Sequence, residues 1–385
     1  MRLIQECGLL LPIAVLALAC DATSSVSPQA AGDLVTLDVP VRSYVIARWD
    51  NVIPAAEDAG ECPDGLNRTE AEVFPEQWEA WLAERRRLRD IGGYLPWDDE
   101  RLPPDACRDN PLAQPDPGFV TLDGPATVAG LDLDGTVSTR TEAAAAACAH
   151  DDFTGPGGEA GIDNQMWRLM GCIRGYRPND LMDRLQQSNA SVKEGGYAIL
   201  MEIAGVDDPR NDDAVEVRFL SANHGVDTNA VGGIMQDVSY TAHPEERFHN
   251  PPASGRIVDG VLTTDPVDLY LKVKQQTMDN TFWFRDARVR AEVHADGRIT
   301  GVLGAYHDVD NFFYTLNEHW IGDHHQGRNA AFNRGFMCAG IYHAMFRVAD
   351  GHPEPETGQC TSISTALQFE AVPAFVIRQQ VAMGD

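Results

Sequence analysis

The sequence predicts a mainly β protein with helical additions: an antiparallel β-sandwich-like domain preceded by a small helical N-terminal part. Three observations carry this expectation. Alternating apolar and polar residues recur through the second half, most cleanly in Val267–Val273 and, from Ala287 on, in Phe282–His294. A period of two puts one strand face inward and the other toward solvent. The pair Asp296-Gly297 separates Phe282–His294 from Ile299–Ala305, a short turn of the kind that joins antiparallel strands. Helical crossovers between continuous apolar runs, which parallel sheets need, are missing from this half.

Taken in order, the chain opens Met1-Arg2, then runs apolar from Leu9 to Ala19 and reaches Cys20 behind Ala17-Leu18-Ala19. That run is too short to span a bilayer and fits the apolar core of an export signal. Here the chain resembles a bacterial lipoprotein precursor, over residues 1–20 only. The resemblance implies a signal peptide at 1–19, cleavage after Ala19, and a lipid on Cys20. It implies a cell-envelope protein anchored to a bacterial membrane and facing the periplasm or the exterior. Residues 20–33 then read as the lipidated cysteine and a flexible tether, because a Ser-, Ala- and Thr-rich stretch buries little apolar surface.

Residues 34–118 read as a small α/β part. Val35–Trp49 is a strand by its β-branched and aromatic content, and Pro75–Asp90 a helix with acids early and arginines late. Leu95–Gly118, rich in Pro and Asp, reads as a loop. Residues 119–385 hold the sandwich-like domain and a C-terminal helix. Phe119–Asp134 reads as short strands, and Met166–Gln187 as two short helices broken by Gly175 and Pro178. Tyr197–Ala204 and Val215–Leu220 read as strands. Asn329–Ala349 reads as a helix ended by Asp350-Gly351-His352-Pro353, and Leu367–Ile377 as a closing strand interrupted by Pro373.

Composition bounds the function. Hydrophobic residues at 43% and charged residues at 23% are globular values. Lys and Arg number 30 against 58 Asp and Glu, a formal net charge of −28 that argues against nucleic acid as a partner. Of the 8 cysteines, Cys7 leaves with the signal and Cys20 takes the lipid. The others are Cys62, Cys107, Cys148, Cys172, Cys338 and Cys360, an even number that suggests disulfides in an exported protein. The shortest loops would pair Cys62 with Cys107, Cys148 with Cys172 and Cys338 with Cys360. No Cys-x-x-Cys, Gly-x-Ser-x-Gly, Walker loop or His-Glu-x-x-His is present.

Three sets of residues are candidates for chemistry. Leu131-Asp132-Leu133-Asp134-Gly135-Thr136-Val137 resembles the first motif of haloacid-dehalogenase-type phosphatases. That resemblance implies Asp132 as nucleophile, Asp134 as acid/base, Mg²⁺ held with help from Asp207-Asp208, and a parallel sheet. Asp151, Asp152, Asp163 and Asn164 bracket a Gly/Pro loop, an oxygen-rich arrangement suited to Ca²⁺. Asp207, Asp208, Asp212 and Asp213 form a second acidic loop, and Asp308 with Asp310 and Asn311 a third. His307, His319, His324, His325 and His343, with Asp308, Asp310 or Asp323, supply the residue types of a hydrolytic metal site. The reading these features favour is a non-catalytic envelope protein with a binding or structural role, stabilised by calcium and facing a protein or glycan ligand. The alternative is a metal-dependent hydrolase.

Overall fold

In the computed structural model the residues described are 41–51, 62, 65–68, 70–73, 75–91, 115–122, 127–139, 148–173, 192–193, 196–275, 278–317 and 338–378. The signal, tether and Cys20 readings, and Cys107, His319, His324 and His325, lie outside them.

The first elements are β1 (Val41–Asn51), α1 (Glu70–Val73), α2 (Pro75–Asp90) and α3 (Gln165–Met170). The β-rich part follows: β2 (Ile199–Ala204), β3 (Asp212–Ser221), β4 (Val238–Thr241), β5 (Ala253–Val258), β6 (Val261–Thr264), β7 (Val267–Gln275), β8 (Met278–Val293) and β9 (Ile299–Asp308). The last elements are α4 (Val309–Asn317), α5 (Cys338–Val348), β10 (Gly351–Pro353) and β11 (Cys360–Ile377).

The mainly β, antiparallel expectation is met. All strands among the described residues belong to one 11-stranded sheet, whose path β1-β2-β3-β5-β6-β8-β9-β11 returns to its start because β1 also pairs with β11. The two inward faces of a sandwich are therefore opposite walls of one closed ring, which leaves no edge along that path. Every pairing in the ring is antiparallel; β4 adds to β11 in parallel from outside. The parallel sheet implied by the phosphatase resemblance is not formed. β1, from the N-terminal part, is a full member of the ring.

Alternation fills the ring. Tyr44, Ile46, Met201, Phe219, Leu269, Leu271, Phe284, Val289, Leu303 and Phe369 pack together inside it. Each large apolar side chain so buried contributes about 1.5–3 kcal/mol relative to exposure. Outside, β4 and the chain before it cover Val45, Leu200 and Val372. A second core forms where β9 ends and β11 begins, from α3, α4 and α5 with Phe153, Val309 and Ile363.

One polar side chain completes the wall. β3 pairs with β5 only as far as Val217, beyond which it faces β7. There the buried Asn250 donates to the carbonyls of Phe219 (3.0 Å) and Tyr270 (3.1 Å) and accepts the Tyr270 N–H (2.7 Å). The Ser221 hydroxyl accepts the Lys272 N–H at 2.8 Å beside it. Side chains thus stand in for a ladder that the two backbones are too far apart to make.

The structure departs from expectation at three places. The described residues of Phe119–Asp134 form only isolated bridges, Thr127 to Thr154 and Leu131 to Asp163; aspartate carboxylates take the N–H groups of Leu133, Asp134, Gly135 and Thr136 that a ladder would use. Pro373 does not interrupt β11. Its carbonyl accepts the Asp237 N–H, and its missing N–H falls on the same side, in the gap between the end of β9's pairing at Ala371 and the start of β4's at Ala374.

The disulfides are also different: Cys62–Cys172 and Cys148–Cys360, with Cα atoms 5.9 and 5.6 Å apart. These two bonds exclude all three sequence-neighbour pairs. Short loops make neighbour pairing cheap, but the folded chain brings together cysteines 110 and 212 residues apart, where cross-links remove more unfolded-state entropy. Among the described residues no helix is long and apolar enough to cross a membrane.

Candidate functional site: an acidic cluster on the barrel wall

Two loops lie across the outer face of β8, β9 and β11. Leu303 and Ala305 point into the barrel, so Gly304 between them points out. A larger residue would crowd the loop here, since a Cβ would sit 3.0 Å from the Leu131 side chain, tighter than most such contacts. The first loop, 127–139, is turned by its own carboxylates. Asp132 accepts the Gly135 N–H (2.7 Å), and Asp134 accepts both the N–H (2.7 Å) and the hydroxyl (2.8 Å) of Thr136. The second loop folds back on itself through the Phe153–Ile162 bridge. Gly161 (φ +75°) lets the loops touch, because a Cβ there would lie 2.7 Å from the Thr136 carbonyl and 3.5 Å from the Asp132 carboxyl carbon.

The loops bring together two candidate sets that are separate in sequence. Carboxylate oxygens of Asp132, Asp134 and Asp163 lie within 4.8 Å of one another. Asp163 is 4% exposed, whereas Asp132 and Asp134 face solvent. One Asp163 oxygen accepts the N–H groups of Leu133 (2.6 Å) and Asp134 (3.3 Å). Asp152 accepts the Ser138 N–H at 2.5 Å and is hydrogen-bonded to Asp163. Asp350 accepts the Ser364 N–H at 2.7 Å and faces the same group.

Crowding of like charges in a partly dry setting shows in their acidities. Burial first, then Asp350, Asp134 and Asp152, push Asp163 up to about 8. Burial first, then Asp134 and Asp132, raise Asp152 to about 6. Burial first, with Asp134 adding, raises Asp350 to about 7. Tyr306 is pushed well above the usual phenol range by burial, then by Asp350, Asp163 and Asp134, with Arg288 opposing. Such a group of oxygen donors, short of positive charge, can bind a hard divalent cation.

The other members of the calcium set do structural work. Asp151 offers its carbonyl to Gln165 and Arg168, both at 3.1 Å, and is not in the carboxylate triad. Asn164 is 1% exposed and donates to the Ala129 carbonyl at 3.2 Å. In the second acidic loop Asp212 accepts the N–H groups of Asp207 (2.7 Å) and Ala214 (3.1 Å), a self-capped turn. In the third, Asp308 caps α4 through the Asn311 N–H (2.9 Å) and Asp310 accepts from the Tyr342 hydroxyl (2.5 Å). His307 lies among the rings of Phe282, Phe284 and Phe312 and contacts Asn311 at 3.2 Å, a core position. His343 is half-buried on α5. Among the described residues no carboxylate or thiol joins either histidine in a group of three.

Sequence reasoning missed Asp350, Tyr306 and Arg288. Asp350 reads as a helix stop, Arg288 as an outward position of an alternating strand, and Tyr306 falls just past the strand read over Ile299–Ala305. Comparison with protein-family models, curated proteins and solved structures finds no match to this chain.

Proposed function

We propose that the protein is a lipid-anchored cell-envelope protein with a non-catalytic binding or structural role, and that Ca²⁺ held by Asp132, Asp134 and Asp163 locks its surface loops to the barrel. The observation that carries the calcium reading is the approach of three carboxylates to within 4.8 Å, one of them almost fully buried. Ca²⁺ accepts six to eight oxygens in loose geometry, so carboxylates on two irregular loops suit it better than they suit strictly octahedral Mg²⁺. Two disulfides support an oxidising compartment, and the Ala19-Cys20 junction supports the lipid anchor.

The test is thermal melting of the soluble body, from residue 34 on with its disulfides formed, in Ca²⁺ and in chelator. The melting temperature is expected to rise with Ca²⁺ in the native protein and to stay level in Asp163→Asn. A melting temperature indifferent to both additions removes the calcium reading. Anchoring is checked separately by labelled fatty-acid incorporation, which Cys20→Ser should abolish.

A further inference from the structure

The acidic cluster has two hydrogen-bond donors beside it that the fold leaves unused. Arg288 stands next to Gly304 on the outer wall, and its Nη1 donates to the Asp132 carbonyl at 3.2 Å. Its Nε is buried and bonds to nothing among the described residues, and none of their carboxylates lies in ion-pair contact with it. A guanidinium beside this many acids would ordinarily pair with one. Tyr306 is 6% exposed, its ring packed on Gly351 and edge-on to His352. Its hydroxyl has no hydrogen-bond partner among the described residues, and the carboxylates of Asp350, Asp163 and Asp134 and the Arg288 guanidinium are near enough to act on it. A phenol hydroxyl beside a polar cluster and without a protein partner is free to donate to a ligand that enters there.

We infer that the calcium site, taken as proposed above, is completed by the hydroxyl groups of a neutral glycan, which ligate the cation while Arg288 and Tyr306 donate to them and Asp132 and Asp134 accept. Charge selects the ligand class. Three carboxylates against Ca²⁺ and one guanidinium sum to zero, and Asp152 and Asp350 tilt the balance negative. An anionic ligand gains nothing there, and a polyanion is further opposed by the −28 of the chain. A sugar hydroxyl is neutral and is donor and acceptor at once. It can replace a calcium-bound water and still meet both kinds of neighbour.

Native affinity electrophoresis of the soluble body through gels containing galactomannan or dextran tests this, with Ca²⁺ or with chelator. Retardation is expected in Ca²⁺ with at least one of the polymers and none in chelator. Arg288→Gln should weaken the apparent affinity about tenfold, the scale of one lost charged hydrogen bond, and Tyr306→Phe somewhat less. Both variants should keep the calcium-induced rise in melting temperature, which shows that they fold and hold the ion. Loss of that rise in the native protein defeats the calcium reading, and this inference with it. Calcium binding without retardation, retardation that survives chelator, or retardation untouched by both variants defeats this inference alone. Binding of inorganic phosphate in place of the glycans overturns the charge argument.

Discussion

The Asp163 carboxylate accepts the Leu133 N–H at 2.6 Å across 30 residues of chain, and this bond joins the two acidic loops into one site. Asp163 therefore has two roles, holding a loop and offering an oxygen. Substitution separates them. Asp163→Asn keeps an acceptor for Leu133 and removes a crowded acid, so in chelator it should cost less than about 1 kcal/mol while losing the calcium response. Asp163→Ala leaves the buried Leu133 N–H unmet and removes the longer bond to the Asp134 N–H, which lies nearer solvent, and should cost about 1–3 kcal/mol in chelator. Urea unfolding with and without Ca²⁺ measures both.

The Cys148–Cys360 disulfide fastens the acidic loop 151–163 at its entry to the first residue of β11. Replacing both cysteines by serine should lower stability by about 2–5 kcal/mol, typical of a removed native cross-link. The loop that carries Asp152 and Asp163 would then be held less firmly, so the calcium titration midpoint should move to higher concentration. Calorimetric calcium titration of the double variant checks this; an unmoved midpoint would show that the barrel wall alone orders the site.

Asn250 bonds three backbone groups of β3 and β7. Asn250→Ala would strand two carbonyls and one N–H inside the wall, at about 1–3 kcal/mol for each group that water does not rescue. The expected signature is local as well as global: the Tyr270 amide, now without its acceptor, should exchange with deuterium faster than its neighbours Leu269 and Leu271. Exchange rates that change uniformly would assign Asn250 a packing role instead.

Some of this was legible in the sequence, and the physics explains which parts. β7 and the later part of β8 follow from alternation, β9 from the Asp296-Gly297 turn before it, and α2 from its charge gradient and the proline in its first turn, because local rules write local patterns. The β1–β11 closure joins the two ends of the described chain and leaves no pattern that a window of residues can hold. The site divides the same way. Asp132, Asp134, Asp152 and Asp163 stand out by type and loop setting, yet their meeting depends on Gly161 permitting one close approach and is eased by Gly304 at another. Arg288 was invisible as a site residue, since an outward residue on an alternating strand looks the same whether it meets water or a ligand, and Tyr306 falls one residue past the strand that the sequence marks.

His307 makes a separable contribution to the behaviour of the fold in acid. It is 4% exposed among three phenylalanine rings, and burial lowers its pKa to about 3 against 6.5 for the free side chain. The folded value is the depressed one, so on acidification the unfolded chain takes up the proton first. The neutral imidazole's contribution is whole above pH about 6.5 and is lost as pH falls toward about 3, at roughly 1.4 kcal/mol per unit. His307→Gln removes the titration while leaving Asn311 a polar partner. Guanidinium unfolding at pH 7 and pH 5 should show the native protein losing about 2 kcal/mol more than the variant between the two. Equal losses would mean that His307 is solvated or already charged in the fold, contrary to its aromatic enclosure.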